Sequence, residues 1–385
     1  MITNFTEVST SRPSTIENIT SQQLLITAFT LILITGVVGN AFVIYTFGVK
    51  IKSNHRSTTE LLTLYLGIID LLSSFLNPSF FIYITIIGYR RWHFGKIGCQ
   101  IIPSLGPIMT SISSGLLLIF AIDRYLAVVT PFRQKLTHKK VTIAFIIDIF
   151  LSIIVYSHYA FALNFDPKSN ICIFPDASVY SFGIPNCVII ILRLSIFATV
   201  FSFTNIKIFQ VLKKCNVNLT RKENQEERFQ KLKKIMIILL TMGVVFILLV
   251  FPRELFYLYY NILCFKTKNC KESSDTLREI NSWLKVAHTA NSCANVFIYS
   301  HMLTVYRKQV FRTFSNLRKL KKVFSRKTFS AFPKSFINKR RRYLPCNYKQ
   351  QYTKVLLIPD EDFKDSSEVI FFQRAQQWKF KKIIV

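Results

Sequence analysis

Asp123-Arg124-Tyr125 is the part of this sequence whose residue types and position point most directly to chemistry. The triplet closes a long apolar run, and Cys99 stands 24 positions before Asp123. An arginine this close to a membrane-length helix is costly to bury, so it normally lies at an interface or performs a function. The cysteine at the other end of the same helix must face the opposite compartment. One helix therefore links an oxidising exterior to a charged inner end.

Catalytic and metal-binding patterns are missing from the sequence. No pairing of a nucleophile with a base emerges, and the eight cysteines form no CxxC pair or Cys/His cluster of the kind that binds zinc. We therefore expect neither an enzyme nor a resident cofactor, apart from the sodium ion considered below.

The composition indicates a membrane protein. Of the 385 residues, 50% are hydrophobic and only 18% are charged, in long uninterrupted apolar stretches that a soluble domain would not need. The formal net charge is +30, but the basic residues gather between the apolar runs and towards the end of the chain. That is the pattern of cytoplasmic segments beside anionic lipids, so we expect membrane lipids and not nucleic acid as partners.

Seven apolar segments are long enough to cross a bilayer core, which takes about 20 helical residues. They lie at 23–48, 60–88, 97–129, 140–164, 182–213, 229–261 and 278–301. The sequence thus predicts an all-α membrane protein, a seven-transmembrane helix bundle over 23–301 that follows an outer tail at 1–22. Apolar residues at helical spacing predict a short amphipathic interfacial helix at 302–321. The basic segment 322–385 has no such periodicity and is predicted to be a largely disordered cytoplasmic tail.

Lysine and arginine in the loops predict the orientation of the bundle. Segment 1–22 holds only Arg12, whereas the third inner loop and the adjoining ends of the fifth and sixth spans hold eight basic residues: Lys213, Lys214, Arg221, Lys222, Arg228, Lys231, Lys233 and Lys234. We predict a multi-pass plasma-membrane protein with its N-terminus outside. Asn4 and Asn18 begin Asn-x-Thr triplets and are expected glycosylation sites on the outer tail.

Taken with Cys99, these features resemble the rhodopsin-like (class A) family of G-protein-coupled receptors. The resemblance rests on Asp123-Arg124-Tyr125, on Asp70 in the middle of the second span, and on Asn295-Val-Phe-Ile-Tyr299. It implies a cell-surface receptor that binds an extracellular ligand and activates heterotrimeric G proteins. Arrestin and receptor kinases are further partners that the resemblance implies.

The same resemblance assigns a G-protein coupling switch to Asp123, Arg124, Tyr125, Asn295 and Tyr299. Asp123 is expected to restrain Arg124 at rest and to release it towards the G protein. Many relatives have an acidic residue at the inner end of helix six as a second restraint, but here the stretch reads Lys231-Leu-Lys-Lys234. We expect that second restraint to be absent.

A polar network in the membrane is a second implication. Its members are Asn40, Asp70, Ser113, Asn291, Ser292 and Asn295. An ionisable group at such depth needs partners or a cation. In the family the matching residues hold a sodium ion on the carboxylate, which here is Asp70. The alternative is a purely structural network without sodium.

Two disulfides are expected in the outer loops, where oxidation is permitted. Cys99 with Cys172 would anchor the second outer loop to helix three. Cys264 with Cys270 would close a shorter loop between helices six and seven. The alternative for the first pair is two free thiols.

Candidates for the ligand pocket are Gly106, Arg193, Arg253, Glu254, Lys285 and His288. Amine receptors carry Asp where Gly106 stands, and opsins carry their retinal-binding Lys where Thr289 stands, so neither ligand class is favoured. The mainly basic set fits a peptide with a carboxylate, in particular a neuropeptide. The alternative is internal pairing or snorkelling, such as Lys285 with Glu254.

Helices six and seven depart from the family pattern. Val250 replaces the usual Trp, and Val296 replaces the usual Pro. These departures leave a second reading open, an atypical or scavenging receptor that binds ligand but couples weakly to G proteins. A transporter is disfavoured because the seven spans show no internal repeat.

Overall fold

The computed structural model describes residues 16–87, 91–130, 136–174, 177–218, 223–267, 275–313 and 315. Within these residues the chain forms seven long helices: α1 Ile16–Ile44, α2 Thr58–Ile87, α3 Gly95–Val129, α4 His138–Ala162, α5 Tyr180–Asn218, α6 Glu223–Thr267 and α7 Asp275–Met302. A π-helical turn, Tyr45–Lys50, continues α1, and a 3₁₀ turn, Ser53–His55, precedes α2. Each of the seven predicted spans coincides with one helix, which confirms the predicted fold.

Most helices extend beyond the apolar windows that predicted them. α6 runs over Glu223–Thr267, whereas the apolar window covers only 229–261, and α1 begins at Ile16 within the predicted outer tail. Polar residues outside a bilayer can continue the backbone hydrogen bonds of a helix, so hydropathy marks the membrane-crossing part and not the helix end.

Six of the described helices, α1 to α6, are long and apolar enough to cross a membrane by length and composition alone. α7 does not reach that standard, because charged residues occupy its first turns and amides and hydroxyls follow. It packs against α6, α1 and α2. Asn291, Ser292 and Asn295 are buried in that packing, so the bundle and not the lipid solvates the polar face of α7.

The helix surfaces have the opposite polarity to those of a soluble bundle. Large apolar side chains such as Leu31, Phe150, Ile154 and Phe209 are more than half exposed along the spans. Exposed apolar surface of this extent is suited to lipid, in which helices satisfy their own backbone hydrogen bonds. The buried core runs along α2, α3, α5 and α6 and includes Leu66, Leu116, Leu117, Phe246 and Leu239.

α3 begins at a glycine because the chain turns there. Gly95 has φ +61°, a backbone conformation that L side chains rarely adopt, and the carbonyl of Gly95 accepts a hydrogen bond of 2.8 Å from the Trp92 indole. Between α4 and α5, strands β1 (Asn164–Asp166) and β2 (Ile171–Ile173) form an antiparallel hairpin in which Phe165 lies opposite Cys172.

After α7 the chain forms a further helix over 304–313. Tyr306 is buried and donates a hydrogen bond of 3.3 Å to the carbonyl of Gly39, whereas Arg307, Lys308 and Arg312 are exposed. This arrangement fits the predicted amphipathic helix. The rest of its predicted range, apart from residue 315, and the predicted tail at 322–385 lie outside the described residues.

Candidate functional site

Two groups of buried charged residues occupy opposite ends of the bundle. We call the end that bears Cys99 the outer end and the end that bears Arg124 the inner end, following the predicted orientation. The inner clasp consists of Asp123, Arg124 and Thr58. The outer cluster consists of Tyr156, Arg193, Glu254 and His288.

The inner clasp is built on one carboxylate oxygen. Arg124 Nε donates to Asp123 Oδ2 at 3.0 Å, and its Nη2 pairs with the same oxygen. Thr58 of α2 donates to that oxygen at 3.3 Å and accepts from Arg124 Nη2 at 3.3 Å. Both charged side chains are buried, so the pair is less screened by water than an ion pair at the surface.

Thr58 is held in place by the helix start that precedes it. The Ser57 hydroxyl accepts from the Glu60 backbone N–H at 3.3 Å, and the Ser57 backbone N–H donates to the Glu60 carboxylate at 2.8 Å. This reciprocal capping box satisfies two donors that a helix N-terminus otherwise leaves without partners. It fixes the first turn of α2, and therefore the threonine, beside Arg124.

No acidic side chain that the structure describes on α6 takes part in the inner clasp. Within the described part of the chain, the Arg124 hydrogen bonds go to Asp123 and Thr58, and the Lys233 and Lys234 side chains on α6 are exposed. Tyr125 is half-buried, and its ring centroid lies 5.8 Å from that of Phe203 on α5. The clasp therefore joins α2 to α3 and leaves α6 outside it.

Asp70 lies in a buried network between α2, α3 and α7. Asn295 donates to Asp70 Oδ2 at 2.8 Å, and Ser113 donates to Oδ1 at 3.5 Å. One turn further out on α7, Ser292 accepts from the Ser74 hydroxyl at 2.9 Å, and its carbonyl accepts from Asn40 at 2.9 Å. The structure thus brings five of the six predicted members into two adjoining sets of hydrogen bonds.

The sixth predicted member, Asn291, is buried one position before Ser292. Tyr299 is also buried on α7, and its ring centroid lies 6.4 Å from that of Tyr306. The Tyr299 hydroxyl has no hydrogen-bond partner in the described residues. The predicted switch residues thus form two groups, the clasp with Tyr125 on α3 and the Asn295–Tyr299 stretch on α7.

The oxygens around Asp70 fit a hard monovalent cation. The carboxylate accepts only the two hydrogen bonds from neutral side chains described above, and Asn40 Oδ1 is buried with no hydrogen-bond partner in the described residues. A buried carboxylate and neutral oxygens form a donor set suited to sodium. No group of three or more His, Cys, Asp or Glu side chains that could hold a metal ion occurs in the described residues.

Cys99 and Cys172 form a disulfide that joins the start of α3 to β2, with a Cα–Cα distance of 5.6 Å. A hydrogen bond is the second link to the hairpin: the Trp92 backbone N–H donates to the Asn170 carbonyl at 2.7 Å. Cys264 is also disulfide-bonded, whereas Cys270, its predicted partner, lies outside the described residues.

The two predicted glycosylation sites are Asn4 and Asn18. Asn4 lies outside the described residues, and Asn18 falls in the first turn of α1.

The outer cluster connects four helices. Glu254 of α6 lies at its centre: its Oε2 is 2.5 Å from Arg193 Nη2 on α5, and its Oε1 is 3.5 Å from His288 Nε2 on α7. Arg193 also donates from Nη1 to the Tyr156 hydroxyl of α4 at 2.9 Å. All four side chains are largely buried, so the charges are paired inside the bundle.

The remaining ligand-pocket candidates lie around the outer cluster. Arg253 precedes Glu254 and is near enough to interact electrostatically with it. Lys285 Nζ lies 6.0 Å from the centroid of the Phe81 ring on α2. At Gly106 of α3 a side chain would meet the Asn77 amide, since a Cβ there would lie 3.1 Å from Asn77 Oδ1.

The sequence left internal pairing of Glu254 open, with Lys285 as an example, and it did not point to three further residues. In the structure Glu254 pairs with Arg193 and His288, because α5 turns Arg193 towards α6. Thr58 and Tyr156 carried no sequence signal beyond being polar residues on helices. The third is Asp148 of α4, which packs on Gly115 with one buried oxygen lacking a hydrogen bond in the described residues; a carboxylate within an apolar span was its signal.

Seven helices, an outer disulfide and a buried arginine at the inner end of α3 define a multi-pass membrane receptor and not an enzyme. The family model described as "7 transmembrane receptor (rhodopsin family)" matches residues 39–299. The chain therefore belongs to the rhodopsin family of seven-transmembrane receptors. Membership confirms the resemblance drawn from the sequence motifs.

Curated relatives match over short stretches. The chain is similar to the lysophosphatidic acid receptor 6 of Gallus gallus, with 34% identity over 29% of this chain and 35% of the relative. It is also similar to the neuropeptide Y receptor type 2 of Gallus gallus, with 30% identity over 31% of this chain and 30% of the relative. The C5a anaphylatoxin chemotactic receptor 1 of Oryctolagus cuniculus shows 32% identity over 34% of this chain and 37% of the relative. The matched stretches thus span about a third of each relative's length.

The fold also matches a solved structure. Squid rhodopsin superposes with a TM-score of 0.63 over 79% of this chain and 88% of the other, at 18% sequence identity. At that identity the likeness establishes the fold alone, which agrees with the seven helices described above.

Proposed function

We propose that this protein is a plasma-membrane receptor, with its N-terminus outside, that binds an extracellular ligand and activates heterotrimeric G proteins. The observation that carries the proposal is the inner clasp, in which the buried Arg124 is held by Asp123 and Thr58. A charged group at the membrane boundary that is restrained by a buried ion pair worth about a few kcal/mol can be released by a conformational change. The described hydrogen bonds of the clasp connect α2 and α3, so a movement of α6 does not by itself break them.

The proposed ligand is a peptide that carries a carboxylate, and the neuropeptide class is our first candidate. Support comes from the predicted pocket residues, among which Arg193, Arg253 and Lys285 outnumber Glu254. Among the relatives, the neuropeptide Y receptor has a neuropeptide in its name, and the C5a receptor has an anaphylatoxin. The lysophosphatidic acid receptor names an acidic lipid instead.

We further propose that Asp70 holds a sodium ion at rest, with Ser113 and the neighbouring oxygens as ligands. The support is the donor set: a carboxylate in the membrane-spanning part of α2 whose hydrogen bonds come from neutral groups only. The alternative, a network without sodium, predicts that thermal stability is the same in sodium and in potassium salts. Asp70→Asn supplies the control, because removal of the charge should abolish any preference for sodium.

Nucleotide exchange on heterotrimeric G protein is the direct test of the proposed activity. Membranes with the wild-type chain should stimulate exchange, and an Arg124→Ala variant at matched surface expression should not. A panel of peptides and lipids applied to the same membranes identifies the ligand. A ligand that binds without raising exchange would favour the atypical receptor, for which the substitutions at Val250 and Val296 are the supporting observation.

A further inference from the structure

Arg193 lies deep in the bundle, at the same level as its partners. Arg193, Glu254 and His288 each stand 13 residues from the outer end of α5, α6 and α7, respectively. At 1.5 Å per residue this is about 20 Å along each helix. Three helices therefore present ionisable groups in one layer, and Tyr156 of α4 completes it.

The partners of Arg193 leave part of its binding capacity unused. A guanidinium presents a planar fork of donors that matches a carboxylate in a two-point arrangement. Here Nη1 donates to a neutral phenol, whereas Nη2 lies 2.5 Å from one carboxylate oxygen of Glu254. The other oxygen of Glu254 faces His288 Nε2 at 3.5 Å. Glu254 thus neutralises Arg193 but divides its two oxygens between two partners, so it does not bind the guanidinium in the two-point arrangement.

The charges around the ion pair favour a second anion over a cation. Glu254 is the one carboxylate that the described residues place in the layer, and the Arg253 guanidinium also interacts electrostatically with it. A ligand cation would have to compete with Arg193 and Arg253 for the Glu254 carboxylate. A ligand anion would instead join an excess of positive charge, and it could take over Arg193 while Glu254 keeps Arg253 nearby.

We infer that Arg193 is the anion-receiving residue of the ligand site and that Glu254 is an internal carboxylate that occupies its place until a ligand carboxylate displaces it. The inference deepens the proposed function, since it supposes that the outer cluster is the ligand site. It specifies a carboxylate, because that is the group the site already holds. Displacement would break the ion pair between α5 and α6, so ligand binding would be coupled directly to the position of α6.

Chemical rescue tests this inference without knowledge of the ligand. In a Glu254→Ala variant of the full chain, purified in detergent, Arg193 is left buried without its counter-charge. Loss of one partner of a buried pair is strongly destabilising, and we expect the unfolding temperature to fall by roughly 5–15 °C. Sodium acetate should restore most of this loss in a saturable way, whereas sodium chloride at equal ionic strength should not. Glu279→Ala, which removes an exposed carboxylate from α7, is the matched control and should show neither effect.

A second variant distinguishes a specific site from a general salt effect. Glu254→Ala combined with Arg193→Leu should be more stable than Glu254→Ala alone and should not respond to acetate. An equal acetate effect on the wild type or on the double variant would overturn the inference, as would undiminished stability of Glu254→Ala. If Glu254→Ala folds too poorly to purify in chloride, the yield of folded receptor solubilised in acetate against chloride is compared instead. An equal yield in the two salts counts against the inference.

The last measurement repeats the rescue of Glu254→Ala with inorganic phosphate in place of acetate. Rescue by acetate and not by phosphate supports a carboxylate ligand, whereas rescue by phosphate alone would overturn that assignment in favour of a phosphate headgroup. None of these measurements involves a G protein. Failure of the rescue therefore leaves the proposed activity standing, and failure of nucleotide exchange leaves the assignment of Arg193 standing.

Discussion

The outer cluster and the inner clasp both bury an arginine against a carboxylate, yet they connect different parts of the bundle. The clasp joins neighbouring residues of α3 to Thr58 of α2. The cluster joins α4, α5, α6 and α7 through Glu254. Among the described residues, the ion pair that involves α6 therefore lies at the outer end, where a ligand would arrive.

Aromatic packing holds the middle of α6 against α5. The Phe197 and Phe246 rings stack with centroids 4.8 Å apart, and Phe197 stacks on Phe201 at 5.4 Å. Phe201 in turn lies against Gly243, where any side chain would overlap with its ring. Because stacked rings can slide with little loss of buried area, such contacts hold a helix less firmly in one position than a buried ion pair does.

Loss of the outer disulfide should have the largest effect. In Cys99→Ser or Cys172→Ser the hairpin loses its covalent link to α3, which typically contributes about 2–4 kcal/mol. We expect surface expression or ligand binding to fall sharply. Surface labelling and binding on intact cells measure this, with Cys187→Ser as the control because Cys187 is a free cysteine. Recovery of Cys99 and Cys172 as free thiols from correctly folded receptor would contradict the pairing.

Removal of the clasp arginine should abolish signalling but not folding. Arg124→Ala takes away the group proposed to contact the G protein, so ligand-independent nucleotide exchange should fall to the level of receptor-free membranes. Surface expression should stay close to that of the wild type. If wild-type and Arg124→Ala receptors show equal basal exchange at matched expression, the resting state is fully inactive, and the lysines in the stretch where many relatives carry an acid have no functional consequence.

Charge removal in the outer region should weaken ligand potency by an intermediate amount. Once a ligand is known, at least one of Arg253→Gln, Glu254→Gln and Lys285→Gln should lower its potency by about tenfold or more, roughly 1.4 kcal/mol. The arginine and lysine variants are the ones expected to do so, because Glu254→Gln removes the group that competes with the ligand for Arg193. Glu279→Gln is the control on an exposed position of α7. Unchanged potency in all three variants would place the ligand site away from the outer cluster.

A smaller effect is expected from the threonine of the clasp. Thr58→Val keeps the shape of the side chain but removes the hydroxyl that contacts Asp123 and Arg124. A hydrogen bond to a charged group contributes about 1.5–3 kcal/mol, and part of that loss should raise basal exchange several-fold. Thr59→Val is the neighbouring control. Basal exchange that falls in Thr58→Val would show that Thr58 supports the active state instead.

The smallest effect should come from the exposed lysines on α6. Lys233→Glu or Lys234→Glu supplies an acid in the stretch where many relatives carry one, and it should lower basal exchange modestly. Charges several ångströms apart at an effective dielectric near 20 interact by a few kcal/mol at most, and exposure to solvent and salt reduces this further. Exchange that rises in both variants would contradict a restraining role for an acid at this place.

The seven helices could be predicted because membrane-spanning segments must be apolar over about 20 residues, and runs of that length are visible in the sequence. The Asp70–Asn295 bond was also within reach, since both residues belong to recognisable motifs. The Arg193–Glu254 pair was not, because it depends on the rotation of α5 about its axis, which apolar residues on nearly every face leave unspecified. The contact of Thr58 with the clasp could not be predicted for a similar reason. Its partners Asp123 and Arg124 lie on another helix, and sequence spacing carries no information about that contact.

α6 is long, so a small tilt of this helix about the outer cluster would move its inner end by several ångströms. Glu254 stands 31 residues from the inner end of the helix at Glu223, which is about 46 Å at 1.5 Å per residue. If the cluster acts as a fulcrum, a tilt of about 5° carries the inner end through about 4 Å, with no change in the helix itself. A tilt that barely moves the backbone near Glu254 would thus move the inner end of α6 by about the width of a side chain.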